Sequence, residues 1–236
     1  MGKKTKRMEH FLPDIIYIDD SAYLYPKTWE IVEKLPRVPI RRVRDKVEAL
    51  ATLQHTSDPI ALGKSILFLT TQKGRFFKKC PGTTGLICCN YYVINFATNC
   101  HLDCSYCILQ GYYDNNPFIT FFVNVEDVLH ELESVFAEHP QWMYRVGTGE
   151  FTDSLALDEM TNFSRMIVPF FAVQQNATLE LKTKTDTIDN LLDLDHQGHT
   201  SVAWSVNMPK IIASEEPKTA TLDERLRAAT LCQEAG

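Results

Sequence analysis

"NFATNCHLDCSYCILQGYY", residues 95–113, sets Cys100, Cys104 and Cys107 within eight residues of a 236-residue chain that has only seven cysteines. The stretch overlaps the apolar run "YYVINFA" (91–97), which reads as a strand, so the thiols fall in the loop that follows it, beside His101, Asp103 and Gln110. Three chemistries compete for such a loop. Thiols without function pack as small hydrophobes in strands or helices, not among polar neighbours. A structural zinc needs a fourth ligand; His101 is adjacent to Cys100 and badly placed to close a tetrahedron, and no CxxC pair lies downstream. An iron–sulfur cluster held by three cysteines leaves one iron without a protein ligand, free to chelate a substrate or cofactor. On that reading three thiolates suffice.

Composition bounds the setting. The chain is 44% hydrophobic and long enough for at least one full core. No run of about 18 uninterrupted apolar residues occurs, so no membrane span is expected. The start, "MGKKTKRMEHFLPD", is basic but lacks the apolar stretch of a secretory signal, which predicts a cytoplasmic protein with reduced thiols. An odd cysteine count argues further against a disulfide framework. The net charge of −6 conceals a division: residues 1–90 carry 16 Lys and Arg against 9 Asp and Glu, and residues 91–236 carry 8 against 21. In "RVPIRRVRDK" and "QKGRFFKKC" basic residues crowd together, the second with Phe76 and Phe77 between Lys73, Arg75, Lys78 and Lys79. That pattern suits either a phosphate-tracking surface with stacking rings, and hence DNA as a partner, or a solvated face.

The first 90 residues read as a small α+β segment: a strand in "DIIYIDD", a helix in "YPKTWEIVEKL" and a strand in "SILFLTT". From residue 91 strands and helices alternate. After "YYVINFA" come a helix in "VEDVLHELESVFAEH", a strand in "MYRVGTGE", a helix in "LDEMTNFSRMIVPFFA" and a strand in "TLELKTK". A short helix in "TIDNLLDL", a strand in "SVAWSVN" and a helix in "TLDERLRAATLCQEAG" follow, the last opened by the capping box Thr221 to Glu224. Such alternation predicts parallel βα units, and an α/β fold with a barrel-like sheet over residues 91–236. Four units leave a strand edge open, which leads us to expect a chain truncated before its remaining barrel strands. Function in such a barrel gathers at the strand ends, where the cysteine loop, Gly147 to Glu150, Lys182 and Lys184, and Ser205 and Asn207 share one mouth.

The spacing C-x3-C-x2-C, with Tyr106 directly before the third cysteine, resembles the radical S-adenosylmethionine enzymes, and "GTGE" (147–150) resembles that superfamily's Gly-Gly-Glu motif. The resemblance implies a [4Fe-4S] cluster on Cys100, Cys104 and Cys107, S-adenosylmethionine on its open iron, and an external electron donor such as flavodoxin or ferredoxin. It also places Glu150 against the cofactor's amino group. A narrower likeness runs from about residue 13 to the end. "PDIIYIDDSAYLYP", "INFATNCHLDCSYCILQ", "PFITFFVNVEDVL", "FTDSLALDEMT", "KTDTIDNLLD" and "SVAWSVNMPKIIASEEPKTATLDERLRAA" are together similar to the spore photoproduct lyase family, radical enzymes of DNA repair. It implies a partial (β/α)6 TIM-type barrel, here stopping after about four units, and cofactor-binding roles for Thr152, Lys184 and Ser205, with Tyr106 as a catalytic relay residue. A Lys ammonium can neutralise a carboxylate and hydroxyls can orient it.

Two positions depart from the family. Where its members keep a hydrogen-donor cysteine just after the second barrel strand, this chain has Glu150, and where they keep a second relay tyrosine it has Ile108. A carboxylate O–H cannot replace a thiol as hydrogen-atom donor. No thiol lies between Cys107 and Cys232, which leaves Cys88 and Cys89 as substitute donors or as small hydrophobes entering a strand. The sequence therefore predicts a lyase-like radical enzyme of unassigned substrate, opposed by a metal-stabilised nucleic-acid-binding module without catalysis.

Overall fold

The apolar run Ile15–Asp19 (β1) is buried over nearly its whole length because it forms the interior of a sheet, not an edge. Pro26–Lys34 (α1) starts on a proline, which costs nothing where the amide has no helical partner, and buries Thr28 and Ile31. Ile40–Val43 (β2), the short helices Lys46–Ala51 (α2) and Pro59–Lys64 (α3), and Ile66–Thr70 (β3) follow, and β1 pairs in parallel with both β2 and β3. Asp45 and Asp58 cap the two short helices, accepting hydrogen bonds from the amides of Glu48 and Ala61. This is a computed structural model that describes residues 11–82, 85–87 and 89–236.

Phe77–Lys79 (β4) opens a second sheet and runs antiparallel to Tyr91–Ile94 (β5). Ala97–Thr98 (β6) leaves that sheet and pairs with Ile119–Phe122 (β7), which lies parallel to β3. Between β6 and β7 runs the cysteine loop, ending in one helical turn, Leu109–Tyr112 (α4). Val125–Glu138 (α5) leads to Tyr144–Gly147 (β8), then Asp158–Thr161 (α6) and Phe163–Ala172 (α7) lead to Ala177–Thr183 (β9). Thr200–Trp204 (β10), Pro209–Glu215 (α8) and Leu222–Ala235 (α9) close the chain. The first sheet has the order β2-β1-β3-β7-β6 and the second β10-β9-β8-β5-β4. Strands β5, β8, β9 and β10 are parallel neighbours, the expected partial barrel, and they do not close.

Sheet membership crosses residue 90 in both directions, since β4 joins the barrel strands and β7 joins the first sheet. One apolar cluster runs from Ile16, Leu69 and Phe121 in the first sheet to Ile94, Val146 and Leu179 in the second. Helix α5 adds Val125, Val128, Leu132 and Phe136 to it, each such side chain contributing about 1.5–3 kcal/mol of burial.

Two helix expectations need correction. Residues 157–172 form two helices because Asn162 adopts a left-handed conformation (φ 49°), tolerable for Asn, and the Asp158 carboxylate restarts the chain by accepting from the Ser164 amide at 2.7 Å. Residues 187–194 hold no helix, only turns at 189–193. There the Asn190 amide donates to the Asp158 carbonyl (3.0 Å) and carboxylate (3.1 Å), the local competition by which Asn and Asp displace helix.

In the barrel sheet alternate residues face opposite ways. Tyr92, Ile94, Val146, Leu179 and Leu181 turn to the apolar cluster, while Tyr91, Arg145, Glu180 and Lys182 turn to the concave side. Tyr91 donates to Glu180 Oε1 at 2.8 Å across β8. The crossing explains Gly147, where a Cβ would lie 1.8 Å from the Tyr91 hydroxyl.

Candidate active site

A cavity of about 270 Å³ lies at the tips of β8, β9 and β10, and its wall includes Cys100, Cys104, Cys107, Tyr106, Glu150, Thr152, Lys182, Lys184 and Ser205 of the residues singled out by the sequence, but not Gly147 or Asn207. They come from four separate segments, brought together because parallel strands end on one side of their sheet. The cysteine loop is shaped by two left-handed residues, Asn99 (φ 67°) and Asp103 (φ 60°). Asn99 spans it, its amide donating to the Pro117 carbonyl and its oxygen accepting from the Cys100 amide, both at 2.8 Å. Asp103 ties it to two other elements, accepting from Lys64 of α3 at 2.6 Å and from Lys218, ahead of α9, at 2.7 Å. Burial alone would raise the Asp103 carboxyl, but the lysines outweigh it and hold the group at about 2.

The thiols stand in a poorly solvated wall. Desolvation pushes Cys100 up to about 12 and Cys104 to about 11, the latter opposed by the Lys184 charge. Such thiols ionise only against strong positive charge, which is what bound iron supplies. Among the described residues no three His, Cys, Asp or Glu side chains form a cage for a single metal ion.

Two further groups in the wall lack counterparts. The Lys184 ammonium makes no ion pair among the described residues and lies 5.9 Å from the centre of the Tyr106 ring. The buried Thr152 hydroxyl has no hydrogen-bond partner among them. A cation without an ion pair and an unsatisfied hydroxyl in one cavity have the chemistry that a carboxylate-bearing ligand needs, so these residues fit the amino-acid end of S-adenosylmethionine as the three thiols fit a cluster. Between them lies Asp153, absent from the sequence reading, which accepts from the Lys184 amide at 2.8 Å and the Thr183 hydroxyl at 2.7 Å and so fixes the tip of β9. Glu150 also faces the cavity, its carboxyl raised by desolvation against the pull of Lys78.

The basic segments look different once folded. Arg42 pairs with Asp20 at 2.5 Å and Arg44 with Glu48 at 3.0 Å, while Phe76 and Phe77 are core residues and so unable to stack on bases. Lys78 and Lys79 stay exposed on β4. Of the substitute donors, Cys89 is exposed, not packed as a small hydrophobe, and Cys88 lies outside the described residues. No helix among the described residues is long and apolar enough to cross a membrane.

Four parallel strands of an unclosed barrel with a three-cysteine loop at their tips define a radical S-adenosylmethionine type of partial TIM barrel. The family model for spore photoproduct lyase matches residues 11–236, and the chain belongs to that family. It is similar to the spore photoproduct lyase of Bacillus subtilis (strain 168), 28% identical over 230 residues that cover 96% of this chain and 65% of the relative. The enzyme of the same name from Geobacillus sp. (strain Y412MC61) is 26% identical over 240 residues, covering 97% and 66%. A solved spore photoproduct lyase complexed with dinucleoside spore photoproduct superposes with a TM-score of 0.86 at 26% identity, over 97% of this chain and 66% of the other. A mutant form with bound AdoMet and the same dinucleoside also gives 0.86. The chain spans 65% and 66% of the length of the two curated relatives.

Proposed function

We propose that this chain holds the cofactor apparatus of a radical S-adenosylmethionine enzyme of the lyase-like kind, with a nucleic acid as its substrate class. The observation that carries the reading is the meeting of three cysteines, an ammonium without an ion pair and a buried hydroxyl without a partner in one cavity. Cys100, Cys104 and Cys107 would each hold one iron of a [4Fe-4S] cluster. Lys184 neutralises the methionyl carboxylate, Thr152 and Ser205 orient it, and Glu150 receives the amino group. When bound, the pair supplies reductive cleavage to a 5'-deoxyadenosyl radical, with the electron coming from an external donor such as flavodoxin or ferredoxin. The protein's own part is to position these groups and to limit water in the cavity. Tyr106 is the remaining aromatic of the family's relay.

The relatives are named for spore photoproduct and two solved forms carry its dinucleoside, which supports a DNA lesion as the kind of substrate. Glu150 and Ile108 stand where the family keeps its thiol donor and second tyrosine, so a product radical has no adjacent thiol to quench it. Given reductant and S-adenosylmethionine, the protein is expected to form 5'-deoxyadenosine without efficiently converting spore photoproduct DNA to thymines. Chromatographic assay of both products tests this: efficient repair would refute the missing-donor reading, and absence of 5'-deoxyadenosine from iron-loaded protein would refute the cofactor reading.

A further inference from the structure

Behind the cavity Glu216 and Arg225 form an ion pair with neither side chain exposed to solvent. Burying two charges is costly and gains little over an apolar pair of the same size, so such a pair is weak evidence of a stability role and calls for another. Its partners indicate which. Glu216 accepts from the Tyr106 hydroxyl of the cysteine loop and, at 2.9 Å, from Asn207 beyond the tip of β10. Arg225 donates to the Ser205 carbonyl at 2.7 Å and to the Ala220 carbonyl at 2.8 Å, and the Ala220 amide donates to the Lys184 carbonyl at 3.0 Å. Burial opposes the Glu216 charge, but the hydrogen bonds from Tyr106, Arg225 and Asn207 outweigh it and keep the carboxyl below its usual range. Tyr106, Lys184 and Ser205 belong to three different segments of the cavity wall, and this one pair reaches all of them.

We infer that the Glu216–Arg225 pair is a positioning hub that sets the cysteine loop, through Tyr106, at a fixed distance from the tips of β9 and β10, through Lys184 and Ser205. The inference rests on the cofactor reading above for what these tips hold. Neither residue touches the cavity. Their effect is therefore on geometry: with the hub intact the Tyr106 ring faces the Lys184 ammonium, and without it the loop keeps its other ties, among them Asp103 to Lys64 and Lys218 and the Ser105 amide to the Glu215 carbonyl at 2.9 Å, but loses its register with the tips of β9 and β10. Residues behind a ligand set act in this way in metal sites, where removing them typically costs roughly 10- to 100-fold in affinity or activity.

The test uses the iron-loaded protein and two variants. Glu216→Leu combined with Arg225→Met replaces the pair by apolar side chains of similar size, a change that leaves no buried charge alone. Tyr106→Phe removes only the phenolic bond from a ring that is 53% exposed, so folding is not at stake. Thermal midpoint, iron content, amide hydrogen exchange of residues 104–110 and S-adenosylmethionine affinity by calorimetry are read for each. The expected result is a folded, iron-loaded double variant whose loop exchanges roughly tenfold faster and whose affinity is roughly 10- to 100-fold weaker, with Tyr106→Phe changed in the same direction by less. Loop exchange and affinity equal to the parent's in both variants would overturn the hub. Failure of the parent itself to bind S-adenosylmethionine would instead overturn the cofactor reading, and is told apart because it occurs with the pair intact; loop exchange alone then decides for or against the hub.

Discussion

The two sheets have the same number of strands and opposite uses. The first buries both faces: Ile16, Ile18, Leu67 and Leu69 go to the shared cluster, while Tyr17, Ile66, Phe68 and Phe118 pack on the other side with Val43, Ala49 and Leu53. The barrel sheet buries one face and leaves the other to Tyr91, Arg145, Glu180 and Lys182. Charge at the sequence level did not mark the sheet whose tips carry the cysteine cavity. Arg42 and Arg44 of the first region are spent on Asp20 and Glu48, whereas Lys184, which makes no ion pair among the described residues, belongs to the acidic half of the chain.

If the first sheet is scaffold and the second a platform, truncating a side chain inside the first should cost far more than truncating one on the open face of the second. Phe68→Ala, deep in the first sheet, should cost about 3–5 kcal/mol of stability in urea unfolding, whereas Ser201→Ala on the open face of β10 should stay within about 0.5 kcal/mol. Similar losses at the two positions would break the comparison.

A smaller effect, confined to the platform, is expected from Lys184→Ala. It should weaken S-adenosylmethionine binding by about 1.5–3 kcal/mol, the range for a hydrogen bond to a charged group, while iron content holds. Calorimetry showing unchanged affinity would remove Lys184 from the site.

The cysteine loop, strung between β6 and β7 of the first sheet, gives the third prediction, because Asp103 ties it to Lys64 of α3. Its carboxyl is held at about 2 against a usual 3.8, so the folded chain favours the ionised form. That stability, about 2 kcal/mol, is fully present above pH ~4 and is lost as pH falls through about 2. Asp103→Asn should therefore be less stable than the parent at pH 7, and the gap should narrow as both are titrated toward pH 2. A gap independent of pH would assign its origin to packing.

How far the sequence anticipates this architecture depends on whether a signal is local. The barrel strands were legible because one-sided burial writes itself as alternation, seen in "TLELKTK", and the capping box Thr221–Glu224 at the start of α9 formed as expected. Strand β7, "ITFF", is buried on both faces and has no alternation, and its partner β3 lies some fifty residues earlier, so nothing local marked it. In the site, the cysteines announced themselves by spacing. Glu216 and Arg225 did not, since a Glu before a Pro and an Arg in a largely polar helix are ordinary surface residues until the fold removes their water; a trace is that Arg225 shares its buried helix face with Ala228. Asp153 escaped because its decisive partners, the Thr183 hydroxyl and the Lys184 amide at the tip of β9, lie some thirty residues away in the chain.

The most direct test of the whole account is iron and sulfide analysis after anaerobic reconstitution, on the parent and on single alanine variants at Cys100, Cys104, Cys107 and Cys232. The account predicts about four irons and four sulfides per chain in the parent and in Cys232→Ala, with most of the iron and the brown absorbance lost in each of the other three. Full iron and absorbance in any of the loop variants would contradict it.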